Sequence, residues 1–479
     1  MALTRIILWL GNSFIICAVL MGITALASAF LLDMQGAQIL TGLGLAISAL
    51  GAVFIVATQN TPSRETNADA LLFLLLFWAL IPFFLSLPYL SLRVVESPIA
   101  AYFEAVSAFT TTGASALDAD SLPRSLLLWR SVVQWFGGVC VATFAVVILA
   151  ALNLSGTGVH RSMLFTLKTG ELFGRLLTIG KVIALIYALL ASSCWLLLTL
   201  TGTDAFSALC LSLSGVSSGG LSPQSGTLSS YVGRLSAIIF AIFCILGAMN
   251  VSIIWDVMRL RRWKNILSFF RNVEHRAIVS LCAALSVLGI FFVGLGHAFT
   301  VIIESLFFVS TSGFDYSVIG LEMLPSGLLI AIALIGGSAL STAGGVKIIR
   351  MILLMRHLGT ELGRLSHPSR IIPVIFRGEH IPDNAFLSIW MYFFGYTMFY
   401  GLGVLTLAMT GMSFEDAVAS SAASISNIGP LLPATMPESG LTYADFTLVQ
   451  KIISAIFMLI GRVEVLAVLI LIIPSFWKR

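Results

Sequence analysis

The chain has 479 residues, of which 58% are hydrophobic and only 10% are charged, with a formal net charge of +4. Soluble proteins carry about 25% charged residues, so this composition excludes a mainly soluble protein. Apolar stretches of about 20 residues, the length that a helix needs to cross bilayer hydrocarbon, recur along the chain. The small net charge comes from basic residues scattered over loops, which gives no support for nucleic-acid binding.

The first predicted element is a helical hairpin in residues 1–62. Arg5, an apolar run and the small residues Ala27–Ala29 together mimic a cleaved signal peptide. That apolar run is long for a signal peptide, and a second run, Ile39–Ala57, follows at once. We therefore predict a retained two-helix transmembrane hairpin, with signal cleavage as the alternative.

The rest of the chain repeats one pattern four times: a spanning helix, a half-length helix, a strip rich in Ser, Thr and Gly, and a second spanning helix. The predicted repeats cover residues 63–160, 161–265, 266–370 and 371–479. The half-length helices are predicted at Pro98–Phe109, Asp204–Leu213, Phe299–Phe308 and Ser413–Ala423. Helices this short cannot span a bilayer, and re-entrant segments are tolerated only where protein or water lines them.

Eight spans flank these half-length helices. The first spans of the repeats are predicted at Leu71–Leu90, Leu177–Leu200, Ala277–Leu295 and Phe386–Met409. The second spans are predicted at Leu126–Leu152, Val232–Met258, Leu328–Met355 and Thr447–Pro474. The predicted fold is an all-α polytopic membrane protein, with four pore-loop repeats (helix, pore helix, filter, helix) around a pseudo-four-fold axis and an N-terminal two-helix hairpin.

The topology follows from Lys and Arg, which are enriched on the cytoplasmic side of membrane proteins. The segments Asp256–Arg276 and Lys347–Arg377 are strongly basic. The segments Gly296–Gly327 and Gly411–Gln450 contain half-length helices, lack Lys and Arg altogether, and carry acidic residues. We therefore predict that the strips after the half-length helices face the periplasm.

Acidic residues around that outer mouth would concentrate cations and exclude anions. The candidates are Glu104, Asp118, Asp120, Asp204, Asp315, Glu415 and Asp416. For any one of them, a solvated loop charge or a carboxylate at a helix N-terminus is the more common role. Asp204 and Glu415 lie near predicted helix starts, as capping requires.

Each half-length helix leads into a small, polar strip centred on glycine. The strips are Thr110–Ala114, Val216–Gly220, Ser310–Phe314 and Ser426–Pro430. Backbone carbonyls can coordinate a dehydrated cation without carrying a full charge, and glycine allows the backbone angles that aim them inward. Four ordinary turns are the alternative, because Ser, Thr and Gly are also common there. Four strips in register favour a pore.

Further stretches of the chain resemble a known family. They are Phe103–Ser107 leading into Thr110–Ala114, Trp129–Gly138, Gly336–Lys347, Asn427–Pro430, Gly461–Glu464 and Pro474–Trp477. With these motifs the chain resembles, over essentially its whole length, the TrkH/TrkG subgroup of the superfamily of K+ transporters. The superfamily also contains KtrB and HKT proteins. The N-terminal hairpin belongs to this resemblance, since KtrB-type members lack it.

The resemblance implies a selectivity filter with the glycines Gly113, Gly219, Gly313 and Gly429. The predicted K+-binding residues are Thr111, Thr112, Gly113, Ser217, Ser218, Gly219, Thr311, Ser312, Gly313, Asn427, Ile428 and Gly429. A glycine in every strip resembles the K+-selective pattern, since a serine in the first strip accompanies Na+ permeation in some plant relatives. Ser218 and Ser312 depart from the threonine that many members have before the glycine.

The glycine-rich break Gly336–Gly345 in repeat three would line a water cavity, with close helix packing as the alternative. The resemblance makes this stretch an intramembrane gating loop, with Gly336, Gly337, Gly344 and Gly345 as gating residues. It lacks the GxxxxGK[ST] spacing of a nucleotide-binding loop. Arg462 lies within a predicted span, where a charge is unfavourable unless it faces water or a partner. We predict that Arg462 projects into the pore beneath the filter as an electrostatic brake, with a buried ion pair as the alternative.

The predicted function is K+ uptake across the bacterial inner membrane through this filter. The resemblance also implies a homodimer and a cytosolic TrkA-type regulatory ring that binds NAD(H) or ATP, whereas no cofactor is predicted for this chain itself. A Na+-permeable or Na+/H+-coupled K+ symporter of the same fold is the alternative, and the sequence leaves channel and symport both open. An enzyme is not expected, because the spans offer almost no paired catalytic groups.

Overall fold

A computed structural model describes residues 3–60, 67–151, 172–260, 271–367, 374–376, 379–381, 383–436 and 439–463. Helices dominate these ranges. The only strands in them, Ile375–Phe376 and Glu379–His380, are two residues long and pair antiparallel. The motif at Pro474–Trp477 and the residue Glu464 lie outside the described residues.

The N-terminal hairpin consists of the helices Leu3–Phe30 and Met34–Thr58. The two helices pack closely through Gly11 and Gly51, where an added Cβ would come within 3.0 Å of the other helix's backbone oxygen. Small residues allow this close approach in membranes. In the connecting turn, the carboxylate of Asp33 accepts hydrogen bonds from the N–H groups of Gly36 and Ser125, both at 3.0 Å. The hairpin is thereby joined to the second helix of repeat one.

Desolvation acts to raise the pKa of the Asp33 carboxyl, but the hydrogen bonds from Ser125 and Gly36 outweigh it and hold the pKa below its usual value. Hydrogen bonds to a charged carboxylate favour the charged form. A group whose pKa is lowered by folding stabilises the folded state above its unfolded pKa and loses that contribution as the pH falls. The attachment of the hairpin is therefore at full strength at neutral pH.

The four repeats are present as predicted. Their first spans are Asn67–Leu85, Leu172–Leu200, Val273–Val293 and Asp383–Ala408. Their half-length helices are Pro98–Phe109, Ala205–Val216, Ala298–Val309 and Phe414–Ile425, each 12 residues long. The Asp204 carboxylate and the Ser413 hydroxyl cap two of them by accepting the N–H groups of Ser207 and Asp416. We number the half-length helices and the strips after them 1 to 4.

The second helices of the repeats differ from one another. They are Arg124–Ala151 in repeat one, Arg234–Ala248 followed by Val251–Leu260 in repeat two, Ser326–Ile335 followed by Ile348–Ser366 in repeat three, and Leu448–Val463 in repeat four. By length and hydropathy, seven helices of the described ranges could cross a membrane, or eight if the bent pair of repeat two counts as one span. The predicted remainder of the last span, up to Pro474, lies outside the described residues.

The prediction of one continuous span at Val232–Met258 was wrong. The chain bends by 102° between Ala248 and Val251. Asn250 begins the second segment, because the side-chain oxygen of Asn250 accepts both the N–H of Ser252 at 3.1 Å and the Ser252 hydroxyl at 2.7 Å. Asparagine is among the preferred N-cap residues, so Asn250 starts a new helix where hydropathy alone predicts continuation.

A glycine at the same position of three second helices sets how closely they approach the half-length helices. Gly137, Gly247 and Gly461 are each the fourteenth residue of their helix. A Cβ added to any of them would collide with the last carbonyl of a half-length helix, at Phe109, Val216 and Ile425 respectively. In repeat three the helix ends at Ile335, before the fourteenth position is reached. The break thus occurs where the other repeats make their closest contact.

Candidate functional site

The four strips share one backbone conformation. The strips are counted here from the residue that follows each half-length helix, which is Thr110, Ser217, Ser310 or Ser426, so that strip 2 begins at Ser217 rather than at the predicted Val216. The second residue has a positive φ of 53° to 63° in every strip, although none is a glycine: Thr111, Ser218, Thr311 and Asn427. Left-handed backbone in a non-glycine residue is strained and persists only where its surroundings enforce it. The same strain at four equivalent positions indicates that this geometry is required.

This shared geometry changes the alignment of strip 2. The residues after the strained position are Thr112 and Gly113, Gly219 and Gly220, Ser312 and Gly313, and Ile428 and Gly429. Gly220, with φ +129°, therefore occupies the place of Gly113 at +79° and Gly313 at +65°. The sequence-based alignment, which placed Gly219 there, is one residue out. The glycine doublet fits either register in sequence, and the half-length helix extends to Val216 rather than the predicted Leu213.

The strips adjoin one another in a closed order around a common axis. An added Cβ on Gly113 would lie 2.8 Å from the Cα of Gly220, and one on Gly220 would lie 2.6 Å from the carbonyl oxygen of Ser312. A Cβ on Gly313 would meet Pro430 at 3.0 Å, and one on Gly429 would collide with the backbone of Ala114. Strip 4 also bonds directly to strip 1, because the N–H of Gly429 donates to the carbonyl of Thr112 at 2.6 Å.

The break in repeat three forms a loop that returns on itself. Gly336 and Gly345, with φ +73° and +75°, lie where it leaves and rejoins the helical path. The N–H of Gly337 donates to the carbonyl of Gly344 at 3.3 Å, and that of Val346 donates to the carbonyl of Leu334 at 2.9 Å. Every residue of 336–346 is buried. An irregular segment inside a membrane protein is tolerated when protein surrounds it, and this loop meets that condition.

The loop makes direct contact with three of the four strips. The hydroxyl of Thr311 in strip 3 accepts the N–H of Gly344 at 3.1 Å, and the hydroxyl of Ser218 in strip 2 donates to that of Thr342 at 2.8 Å. A Cβ added to Gly344 would collide with the carbonyl of Ser426 in strip 4. The strained second residues of two strips therefore hold the loop.

Arg462 joins the loop to the remaining strip. Its Nε donates to the carbonyl of Thr110 at 2.6 Å, its Nη2 to the hydroxyl of Thr111 at 2.5 Å, and its Nη1 to the carbonyl of Thr342 at 2.6 Å. The side chain is 6% exposed. Among the described residues no carboxylate pairs with it, so its charge is balanced by neutral oxygens of strip 1 and the loop.

Two polar groups fasten the loop at its ends. The Glu274 carboxylate, at the start of the first span of repeat three, accepts the Ser338 hydroxyl and the N–H of Ala339 at 3.0 Å. The Nζ of Lys347 donates to the carbonyl of Ala343 and, at 3.2 Å, to that of Ser341. The contacts of Glu274 could not be predicted from sequence patterns, because this residue is more than sixty residues from its partners.

The acidic residues that were predicted at the mouth fall into two groups. Asp118, Asp120, Asp204, Asp315 and Glu415 are exposed, and Asp416 is half-buried. Glu104 is buried, and it accepts the N–H of Ala116 at 2.6 Å and the Ser115 hydroxyl at 2.9 Å. Its placement in the mouth was therefore wrong. Hydrogen bonding to the loop after strip 1 is its observed role.

Glu304 holds the equivalent place in repeat three. It accepts the N–H groups of Tyr316, Ser317 and Leu321 at 2.8 to 3.1 Å. Glu304 precedes Gly313 by nine residues, as Glu104 precedes Gly113. A comparison of the repeats could therefore have identified this pair of carboxylates as loop supports. In the described ranges, no group of three or more His, Cys, Asp or Glu residues could hold a metal ion.

Comparisons with known proteins agree with this architecture. The family model TrkH, described as a cation transport protein, matches residues 37–479. The Trk system potassium uptake protein TrkH of Halomonas elongata is 29% identical over the whole of both chains, and that of Escherichia coli K12 is 30% identical over 90% of each. The crystal structure of the potassium transporter TrkH from Vibrio parahaemolyticus matches all of both chains with a TM-score of 0.88 and 27% identity.

Proposed function

The chain belongs to the TrkH family of cation transport proteins, and from this premise we propose that it takes up K+ across the bacterial inner membrane. The names of its relatives, Trk system potassium uptake proteins, support the choice of ion. The observation that carries the proposal is the closed order of four strips with one backbone conformation, each at the end of a half-length helix. The family consists of ion transporters, so no enzymatic reaction is assigned.

In this proposal the strips select K+ through their backbone carbonyls. The carbonyls replace water around a dehydrated ion, and the negative ends of the half-length helices point toward the same region. The proposed ligands are those predicted from sequence, with strip 2 moved to Ser218, Gly219 and Gly220 by its backbone geometry. Exposed acidic residues on the same side, such as Asp118 and Asp120, would raise the local cation concentration.

Gating is assigned to the loop 336–347 and Arg462. The guanidinium donates to the carbonyl of Thr110 and to the hydroxyl of Thr111, which are oxygens that a permeating cation would otherwise use. Arg462 thus competes with K+ as a tethered cation while it holds the loop at Thr342. Conduction requires both contacts to be released together. This arrangement supports the electrostatic brake over a purely structural ion pair.

Regulation is assigned to a cytosolic TrkA-type ring that binds NAD(H) or ATP, as the Trk system membership of the relatives suggests. The helix Ile348–Ser366 continues directly from the loop and carries Arg350, Arg356 and Arg364. A partner that pulls on this basic helix from the cytoplasmic side would move the loop with it. The proposal also includes a homodimer and strips that face the periplasm. It divides the chain into the hairpin and the four repeats at residues 62, 160, 265 and 370.

Growth rescue tests the central claim. A bacterium without its own K+ uptake systems would express this chain, with and without a TrkA-type subunit, on medium low in K+. We expect growth to recover when the subunit is present. Absence of rescue under both conditions, with the protein found in the membrane, would refute K+ uptake.

The Na+-permeable or Na+/H+-coupled alternative requires a second measurement. Purified protein in liposomes would be given opposing K+ and Na+ gradients, with and without a pH difference across the bilayer. A reversal potential that follows the K+ gradient alone supports a K+-selective pathway. A reversal potential that follows Na+, or K+ uptake that stops when Na+ or the pH gradient is removed, favours the alternative.

A further inference from the structure

Strip 2 is the only strip whose third residue has no side chain. The equivalent residues are Thr112, Gly219, Ser312 and Ile428. The Thr112 hydroxyl bonds to the Thr110 hydroxyl at 2.7 Å, and the Ser312 hydroxyl donates to the carbonyl of Phe307 at 3.0 Å. The Ser312 side chain thus fastens strip 3 to its half-length helix, and the Thr112 side chain does so for strip 1 through Thr110, whose hydroxyl donates to the carbonyl of Val106 at 2.7 Å. Gly219 cannot do the same for strip 2.

Strip 2 also has fewer backbone contacts to its half-length helix. In strips 1 and 3 the N–H of the fourth residue, Gly113 or Gly313, donates to a helix carbonyl at 3.4 and 3.0 Å. In the part of the chain that the structure describes, the N–H of Gly220 makes no corresponding bond, and the carbonyl of Ser214 accepts the N–H of Gly219 and, at 2.9 Å, the hydroxyl of Ser217. The backbone N–H of the fourth residue of strip 2 is therefore not tied to the half-length helix.

A side chain from repeat one lies at this place. Gln134, on the helix Arg124–Ala151, is fully buried, and a Cβ added to Gly219 would lie 2.5 Å from its Cδ and 2.7 Å from its Nε2 and Oε1. The amide therefore fills the volume that a side chain at Gly219 would take. The carbonyl oxygen of Gly219 points the other way, toward Gly113 of strip 1. Gln134 lies behind the strip rather than on its axis.

The amide of Gln134 has no hydrogen-bond partner among the described residues, at either Nε2 or Oε1. A buried polar group without a partner is destabilising, and an apolar side chain of similar volume would avoid the penalty. Space filling alone would therefore favour methionine or leucine. The retained amide indicates a need for its donor and acceptor next to strip 2.

A neighbouring contact supports this assignment. Asn427 of strip 4 already supports strip 1 with an amide, because its Nδ2 donates to the Thr112 hydroxyl at 3.0 Å. An amide side chain thus already holds one of the four strips.

We propose that Gln134 is a positioning residue that determines ion specificity: its amide replaces the missing side chain of strip 2 and fixes the Gly219–Gly220 carbonyls relative to the axis. This inference rests on the proposed role of the strips as a K+ filter. It extends that role to a residue of a second helix, outside the filter strips themselves.

The test compares Gln134→Met, which keeps the volume and removes the amide, with Gln134→Leu as a second apolar variant. Each purified protein is reconstituted in liposomes, and the K+/Na+ permeability ratio is taken from reversal potentials. We expect the ratio to fall about three- to tenfold, the size of one polar interaction between the amide and strip 2, while the amount of folded protein stays unchanged. An unchanged ratio in both variants would overturn the proposal. So would loss of folded protein in both, since Gln134 would then be needed for stability alone.

A compensating pair makes the test more specific. Gly219→Ser alone should disrupt the filter, since its new Cβ would collide with Gln134. Gly219→Ser combined with Gln134→Ala should recover part of the ratio that Gln134→Ala loses, because the serine gains space and a hydroxyl like that of Ser312. A double variant no better than Gln134→Ala would count against the proposal. If Gly113→Ser lowers the ratio and the Gln134 variants do not, the strips remain the proposed filter and only the role of Gln134 is refuted. If Gly113→Ser has no effect either, the proposed function of the strips is refuted as well.

Discussion

The strips and the second helices behind them come from the same four repeats, yet only the strips have kept their equivalence. The strained second residue recurs in all four strips with nearly the same φ. The second helices are continuous in repeat one, bent by 102° in repeat two and opened into a loop in repeat three. Ion coordination requires ligands on all sides of an axis, so it demands equivalent strips. A single loop that closes the path requires only one second helix to differ from the others.

Arg462 shows the same division at one position. It is the fifteenth residue of its helix, and the fifteenth residues of the equivalent helices are Gly138 and Ala248. Gly138 instead lies close to Ser217 and to the methyl group of Thr342. Four arginines at this level would repel each other in a buried site. One arginine with small residues opposite it gives a charge that can reach both strip 1 and the loop.

The largest effect is expected from breaking the equivalence of the strips. In Gly113→Ser the new side chain must adopt φ +79° and would press on the Cα of Gly220. Left-handed backbone costs a non-glycine residue about 1–2 kcal/mol, and the contact adds about 1–3 kcal/mol. We expect the K+/Na+ permeability ratio to fall about ten- to a hundredfold. Gly226→Ser is the matched control, because Gly226 has φ +83° and an added Cβ would meet nothing within 4 Å. An equal fall in the ratio for Gly226→Ser would mean that backbone strain in general, and not the strip contact, causes the effect.

The next effect tests the asymmetric position. Arg462→Ala removes all three hydrogen bonds to Thr110, Thr111 and Thr342. Hydrogen bonds to charged groups contribute about 1.5–3 kcal/mol each, so K+ uptake without the regulator should rise about tenfold or more. Tracer uptake into liposomes measures it. Arg462→Lys keeps the charge but not the planar guanidinium, so its basal uptake should lie between those of the wild type and Arg462→Ala. If neither variant changes basal or regulated uptake, Arg462 is not a brake.

A smaller effect is expected where Glu274, at the start of the first span of repeat three, fastens the loop. Glu274→Gln keeps the shape of the side chain but replaces the charged acceptor of the Ser338 hydroxyl and the Ala339 N–H with a neutral one. Charge-assisted hydrogen bonds are about twice as strong as neutral ones. Basal uptake should rise about threefold. Glu361→Gln serves as the control, because its exposed pairing with Arg364 contributes little. Equal uptake in wild type and Glu274→Gln would exclude the carboxylate as a latch.

The repeat and the break were predictable because both change composition sharply. Apolar runs alternate with Ser, Thr and Gly, and helix bounds shift by only a few residues; half-length helix 2, for example, ends at Val216 instead of Leu213. Gly336–Gly345 has too many glycines to continue a helix. Local signals of this kind operate within one or two turns of the chain, so sequence patterns capture them.

What the sequence could not provide depends on contacts between distant residues. Arg462 bonds to residues about 350 positions earlier, and only the folded ring brings them together. The bend at Asn250 is a local exception: it depends on the Asn250 side chain accepting the N–H of Ser252, which hydropathy does not detect. Strip 2 was misaligned because Gly219 and Gly220 are interchangeable in sequence. Their φ angles and the contact with Gln134 distinguish them.

The smallest expected effect concerns the exposed loops above the strips, where the repeats differ most freely. Asp118 is exposed, and it accepts the hydroxyl of Ser225. Asp118→Asn should reduce the rate of K+ uptake by up to about twofold at low ionic strength, because surface charges steer ions only weakly. The reduction should disappear at about 1 M salt, where the screening length is about 3 Å. Ser225→Ala removes the hydrogen bond but keeps the charge, so it should leave the rate unchanged. A reduction that persists at high salt, or that Ser225→Ala reproduces, would mean that Asp118 acts by holding the loop rather than by attracting ions.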